Sequence, residues 1–220
     1  MWQQLKHYLW PASSIPQRFR HTSLKQIPWL AVDLELTSLD AKQSNILSIG
    51  WVQGKASMLS LDTCYYDVVN TQASLNQSPV IHGLLDDDIQ QGVPVRQALA
   101  RLAEFASTHV WVFHNTALDM SVLLKVYQKL GIQLPIIITV DTLQLALYQL
   151  KKNQQVPAPN AATLTSCRQR HNLPLAPAHN ALDDAVATME LLFAQLYDFD
   201  KYGNQSLGEL TISGAVKVFG

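Results

Sequence analysis

WLAVDLEL, residues 29–36, is a near-continuous apolar run broken only by two acids. A short run of this kind reads as a strand buried on both faces, the sort found inside a mixed or parallel sheet. Outward from it, ILSIGWVQ (46–53) gives a second strand, Gly54-Lys55 a turn, and SMLSLDTCYYDVV (57–69) a third. The chain therefore begins its sheet as an antiparallel hairpin. Beyond a polar crossover (70–79) the period changes to 3.6, with Pro94 opening a helix whose Val95, Leu99, Leu102 and Phe105 share one face. VWVFHN (110–115) is a short buried strand, and a helix over 118–130 stops at Gly131. PIIITVDT (135–142) is a strand that leads into a helix through Leu150. KKNQQVPAPN (151–160) is a loop, followed by a helix over 161–171, a proline-bearing loop (NLPLAPAHN), and a strong helix over 181–197. Hairpins followed by strand–helix alternation predict an α/β fold, a mixed sheet flanked by helices.

The 220 residues suit one domain with short appendages, and 48% hydrophobic residues suffice for a sizeable core. The expected division is a basic N-terminal extension (1–28), a domain over 29–197 and a tail over 198–220. The extension carries Lys6, Arg18, Arg20 and Lys25 with no acid, interleaved with Trp2, Tyr8, Trp10 and Phe19. It is expected to dock on its own domain, contact with a phosphate backbone being the alternative. The tail, with Gly203, Gly208 and Gly214, reads as irregular or as short strands. Sixteen Lys and Arg against seventeen Asp and Glu exclude a protein that holds nucleic acid by bulk positive charge alone. Cys64 and Cys167 have no zinc-site spacing and suggest no disulfide framework. The apolar stretch LPIIITV (134–140) is far shorter than the ~20 residues that cross a bilayer, and the N-terminus is too polar for a signal peptide. A soluble, cytoplasmic protein without a membrane partner is expected.

Charged residues are only 15% of the chain, against about 25% in an average domain, so each acid in an apolar setting calls for a reason. Asp33 and Glu35 sit two apart in the first strand and point to one face. No Lys or Arg stands between Lys25 and Lys42. Two buried, uncompensated carboxylates cost several kcal/mol each. A frayed strand end in water, or a distant arginine, is the plainer account of the pair. Asp119, in FHNTALDMSVLL (113–124), lies near a helix start, where the helix dipole alone can account for it. In HNALDDA (179–185), Asp184 shares a stripe with Ala181, Ala187, Thr188 and Leu191, whereas Asp183 looks solvated. His179 lies in the preceding loop, where a histidine is commonly just a surface residue. In conjunction the acids point further. Four of them, in three segments, are expected to converge on one crevice with no comparable set of bases. Hard divalent cations, Mg²⁺ or Mn²⁺, prefer such oxygen ligands. Two ions about 3.5–4 Å apart clamp the attacking and leaving oxygens of a phosphodiester, and a mobile histidine suits the general base.

These residues resemble the DEDDh 3′→5′ exonucleases of the ribonuclease H-like fold, a family that includes the proofreading epsilon subunit of bacterial DNA polymerase III. DLELTSLD (33–40) is similar to its first motif, HNTALD (114–119) to its second and HNALDD (179–184) to its third. IHGLLDDDI (81–89) and VDTLQLA (140–146) resemble weaker blocks of the same family, and the whole spans about residues 29–197 in the family's order. The resemblance implies a ribonuclease H-like mixed β-sheet, with an antiparallel hairpin start and then parallel strands, flanked by α-helices. It implies that Asp33, Glu35, Asp119 and Asp184 hold two Mg²⁺ or Mn²⁺ ions and that His179 is the general base. Leu36 and Thr37 would contact the terminal nucleotide, with His82 near the substrate. Leu36-Thr37-Ser38 stand where the family commonly shows Thr-Thr-Gly, and Leu118 replaces an aromatic residue. The implied reaction releases nucleoside 5′-monophosphates from a free 3′ end, with single-stranded DNA the expected substrate. An exoribonuclease trimming RNA ends or short oligoribonucleotides is the main alternative. A DNA polymerase, or another replication or repair protein, is an expected partner, although the tail holds no clamp-binding peptide. A non-catalytic binding module would not fill all five positions, and an aspartate-nucleophile phosphatase would want Asp-x-Asp where Glu35 stands.

Overall fold

The computed structural model describes residues 9–71, 83–154, 158, 160–177 and 179–220. Its strands are β1 (Leu9–Trp10), β2 (Trp29–Leu36), β3 (Ile46–Lys55), β4 (Met58–Asn70), β5 (Val93–Pro94), β6 (Val110–Phe113), β7 (Ile137–Asp141) and β8 (Val216–Phe219). Its main helices are α1 (Asp86–Gln91), α2 (Val95–Ala103), α3 (Thr116–Leu130), α4 (Thr142–Lys152), α5 (Leu164–Arg170) and α6 (Ala181–Phe199). The strands form one sheet in the order β1-β8-β7-β6-β2-β3-β4-β5. β2, β3 and β4 pair antiparallel, whereas β2, β6 and β7 pair parallel. The expected mixed sheet, hairpin first and parallel strands after, is the fold observed. Among the described residues no helix is long and apolar enough to cross a membrane.

Strand alternation sorts the core into two layers. Leu30, Val32, Trp111 and Phe113 face α2 and α3, packing on Leu99, Leu102, Met120 and Leu123. Trp29, Ala31, Val52, Val112 and Val140 face the other way, onto Met189, Leu192 and Leu196 of α6. Asp33 and Glu35 have the parity of Trp29 and Ala31, so both belong to the α6 face.

The flanking segments are built into this second layer. Ile15, Phe19, Leu24 and Ile27 are buried there, as are Leu207, Leu210, Val216 and Val218 from the C-terminal end. β8 pairs antiparallel with β7, and β1 covers the far side of β8. Several boundaries differ from the expected ones. Helix α3 starts at Thr116 because Asn115 turns the chain in a left-handed conformation (φ 77°), and Thr163 caps α5 three residues later than expected. The short helix α1 falls in a stretch read only as a motif block.

Two local features open the carboxyl end of the sheet. β2 pairs with β6 only through Ala31, so Asp33 to Leu36 project past the last β6 contact and leave a crevice, the place where open α/β sheets bind ligands. On the other side of β2, Asp33 lies opposite Gly50 of β3. A Cβ on Gly50 would sit 2.4 Å from the backbone of Ala181 and Leu182, so only glycine lets the first turn of α6 rest on the sheet beside Asp33. Gly50→Ala is therefore expected to lower stability by about 1–3 kcal/mol in urea unfolding. Stability within 0.5 kcal/mol of the unsubstituted chain would contradict this seating.

Candidate metal centre

Two of the three segments meet, β2 and the start of α6. Asp33, Glu35 and Asp184 each present a carboxylate oxygen, and these oxygens lie within 4.8 Å of one another. Asp184 reaches the pair because α6 is anchored at its first turn. The Asn180 side chain accepts hydrogen bonds from the Leu182 and Asp183 backbone N–H groups at 3.0 and 3.3 Å, and the Asp184 N–H bonds the Asn180 carbonyl at 2.9 Å. Asp183 is exposed, as its place on the helix predicts. Asp119 is buried in the first turn of α3 and does not join the 4.8 Å cluster. It is nevertheless the acid whose charge bears most strongly on Asp33. The backbone N–H groups of Asp119 itself and of Leu34, unpaired by β6 at that point, lower its pKa.

Burial, then repulsion among the acids, pushes these carboxyls toward the neutral form. Asp33 is raised well above the usual carboxylate range by burial, then by Asp119, Asp184 and Glu35. Glu35 is pushed up to about 7 by burial and by Asp184. Burial also raises Asp119 and Asp184; at Asp184 the backbone N–H of His179 opposes the rise. Among the described residues the ion pairs are Arg101–Asp67, Arg168–Glu190 and His171–Asp198, and none touches the four acids. Arg168 lines the same cavity and its charge eases the rise at Asp184, but its ion pair is with Glu190. Arg168 donates to the Ala187 and Pro174 carbonyls at 2.7 and 2.9 Å besides pairing with Glu190. An all-oxygen donor set, half-buried and with no ion-pair partner among the described residues, fits a hard divalent ion.

The other expected positions fall around this centre. His179 is exposed, with φ 67°, and its backbone N–H donates to Asp184 Oδ2 at 3.0 Å. Its loop lines a cavity of about 680 Å³ that also reaches Asp33, Asp184, His114 and Asn115. Leu36 is half-buried at the end of β2, beyond a bulge that follows Glu35. The Thr37 hydroxyl accepts the Asn45 N–H at 3.0 Å and so helps to close the loop between β2 and β3. His82 lies outside the described residues.

Three residues that sequence reasoning did not single out also shape the site. Gly50 seats α6. His114 is half-buried, desolvation lowers its pKa to about 4, and its Nε2 lies 2.9 Å from the Ala162 carbonyl, which can only accept; Nε2 therefore carries the proton. Its Nδ1 lies 2.8 Å from the Thr142 hydroxyl, tying β6 to the start of α4. Asp141 is the third, a buried acid at the end of β7 that caps α4. His114 and Asp141 lay inside the family-like blocks HNTALD and VDTLQLA without a role of their own, and the glycine inside an apolar strand was the signal for Gly50.

The profile of the exonuclease family of the RNase T type matches residues 30–192, enclosing all four acids and His179. The chain belongs to the DEDDh 3′→5′ exonuclease family. Members are hydrolases that use divalent metal ions. Among sequence relatives, it is 26% identical over 188 residues to the PolC-type DNA polymerase III of Listeria monocytogenes, covering 84% of this chain and 12% of that one. It is 24% identical over 185 residues to the 3′-5′ exonuclease DinG of Staphylococcus aureus, covering 83% of this chain and 20% of that one. The chain thus spans a small fraction of these relatives' length. Its fold is similar to that of cell-death related nuclease 4 (TM-score 0.70, 11% identity, 79% of this chain and 65% of that one). It is also similar to the nuclease domain of 3′hExo bound to rAMP (TM-score 0.67, 13% identity, 80% and 95%).

Because folding raises the Glu35 pKa from 4.5 to about 7, the folded chain holds that proton more tightly than the unfolded one. Stability from this group is full below pH 4.5 and is lost as pH rises through about 7. Metal-free Glu35→Gln is therefore expected to be more stable than the unsubstituted chain at pH 8 by about 2 kcal/mol, allowing for partial exposure. The difference should vanish near pH 4. Thermal melts in chelator check this, and an equal or lower melting temperature for the variant at pH 8 would contradict it.

Proposed function

We propose that this chain removes nucleotides one at a time from the 3′ end of single-stranded DNA, releasing nucleoside 5′-monophosphates. The observation that carries this reading is the meeting of Asp33, Glu35 and Asp184 within 4.8 Å, with the charge of Asp119 acting on Asp33 and no ion pair to any of them among the described residues. Asp33, Glu35, Asp119 and Asp184 would hold two ions, Mg²⁺ or Mn²⁺. Bound there, the ions would supply neutralisation of the acids and stabilisation of charge on the attacking and leaving oxygens.

The chain's own residues do the rest. His179 takes the proton of the attacking water at an imidazole nitrogen. Its loop is tied to Asp184 through the backbone N–H, so the base and a metal-holding carboxylate move together. Leu36, at the open end of β2, together with Thr37 and His82, receives the terminal nucleotide. A single strand suits the crevice because its last nucleotide must be splayed away from any partner base. Residues 29–197 carry this chemistry, with 1–28 and 198–220 as flanking structure.

The choice of DNA is supported by the sequence relatives, which are named as DNA polymerase III and as a 3′-5′ exonuclease. Association with a polymerase or another replication or repair protein belongs to the same reading. The free cysteines Cys64 and Cys167 fit a reducing compartment, the cytoplasm. RNA remains the competing substrate, since a fold neighbour was solved with rAMP.

Matched 5′-labelled DNA and RNA oligomers, incubated with the purified chain and either Mn²⁺ or chelator, test the proposal. A stepwise ladder on DNA that chelator abolishes is expected, with Asp33→Asn and Asp184→Ala reduced to background. His179→Ala should lose about 10²–10⁴-fold in kcat. A ladder on RNA alone would reassign the substrate, and digestion unchanged in the aspartate variants would overturn the site.

A further inference from the structure

We infer that Asp141 is a positioning residue for the metal centre, a single carboxylate that caps two helices and so fixes where Asp119 stands. This rests on the metal reading of the four acids. Asp141 ends β7 and is 1% exposed. Its Oδ1 accepts from the Leu143 and Gln144 N–H groups at 2.9 and 3.2 Å, which is ordinary capping of its own helix, α4. The same carboxylate also reaches sideways. Oδ1 accepts from the Asn115 N–H at 3.2 Å and Oδ2 from the Thr116 N–H at 3.0 Å, at the start of α3.

Those two donors need an outside acceptor. Asn115 occupies the cap position of α3, but it turns with φ 77° and its side chain caps nothing. The parallel pairing that puts Phe113 opposite Asp141 brings the carboxylate to this uncapped end. Asp119 follows Thr116 by three residues, within the same turn of helix, so whatever holds the Thr116 N–H holds the root of the Asp119 side chain. Asp141 also adds a negative charge beside Asp119, which strengthens the local demand for a cation. An ordinary helix cap would require only the first pair of bonds.

Serine separates the two roles. It caps a helix about as well as aspartate, but its one short hydroxyl cannot also span to a second helix. The test measures Mn²⁺ binding to the full chain without substrate, from the free-Mn²⁺ resonance signal, alongside thermal melts. Asp141→Ser should melt above Asp141→Ala, because α4 is capped again, yet both should bind Mn²⁺ at least tenfold more weakly than the unsubstituted chain. Asp141→Asn keeps the side-chain shape but turns an N–H donor toward Thr116, and it should show the same loss. Ser206→Ala, which removes the cap of the helix Leu207–Leu210, serves as the control: it should lower the melting temperature and leave Mn²⁺ binding within twofold. Wild-type Mn²⁺ affinity in the serine or asparagine variant would overturn the inference alone. Loss of affinity in Ser206→Ala in step with its melting temperature would do so too. No Mn²⁺ binding by the unsubstituted chain would overturn the metal reading and this inference together.

Discussion

Carboxylates repel one another, and this molecule is arranged around forcing several of them together where water is scarce. Two ionised oxygens within 4.8 Å repel by at least about 3 kcal/mol at an effective dielectric of about 20, before the loss of hydration is counted. No described ion pair offsets that cost. Burial first, and this repulsion after it, raise Asp33 and push Glu35 up to about 7. A fold that accepts such a penalty in its ligand-free state stores a preference for a divalent cation, the usual exchange of stability for activity at a working site.

The rest of the architecture holds those groups in register. β2 runs past the end of β6, which frees the backbone at Leu34 and opens a crevice between the parallel strands. The bare backbone at Gly50 lets α6 descend until Asp184 meets Asp33 and Glu35. β6 and β7, paired in parallel, are laced together just past their ends by the His114–Thr142 contact and by the Asp141 carboxylate. The four acids thus arrive from three elements, β2, α3 and α6, and each element is fixed by a backbone contact close to the acid it carries.

Much of this was legible in the chain. Two acids at strand spacing in WLAVDLEL, without a basic residue nearby, called for a reason that their conjunction with Asp119 and Asp184 supplied, and the apolar stripe around Asp184 already placed it on the buried side of its helix. The hairpin, the parallel strands and the long last helix follow from periodicity. Other features depend on contacts that no local pattern encodes. Gly50 reads as an ordinary residue of a strand until the helix 130 residues later is seen resting on it. Asp141 stands in the sequence only as part of VDTLQLA, and its bonds to the Asn115 and Thr116 N–H groups depend on the neighbouring helix start. The edge strands β1 and β5 are two residues each, too short to leave a periodic signal, and β8 lies in a glycine-punctuated stretch. The bond by which the Thr37 hydroxyl accepts the Asn45 N–H, closing the loop between β2 and β3, is likewise a contact that no local pattern encodes.

The central claim is that divalent cations complete the pocket that these acids line. Crystals soaked in Mn²⁺ with a nucleoside 5′-monophosphate, examined by anomalous diffraction at the manganese edge, test it most directly. The account predicts manganese peaks bounded by Asp33, Glu35, Asp119 and Asp184, with the phosphate beside them. Manganese bound elsewhere, or a lysine or arginine side chain filling that space, would contradict it.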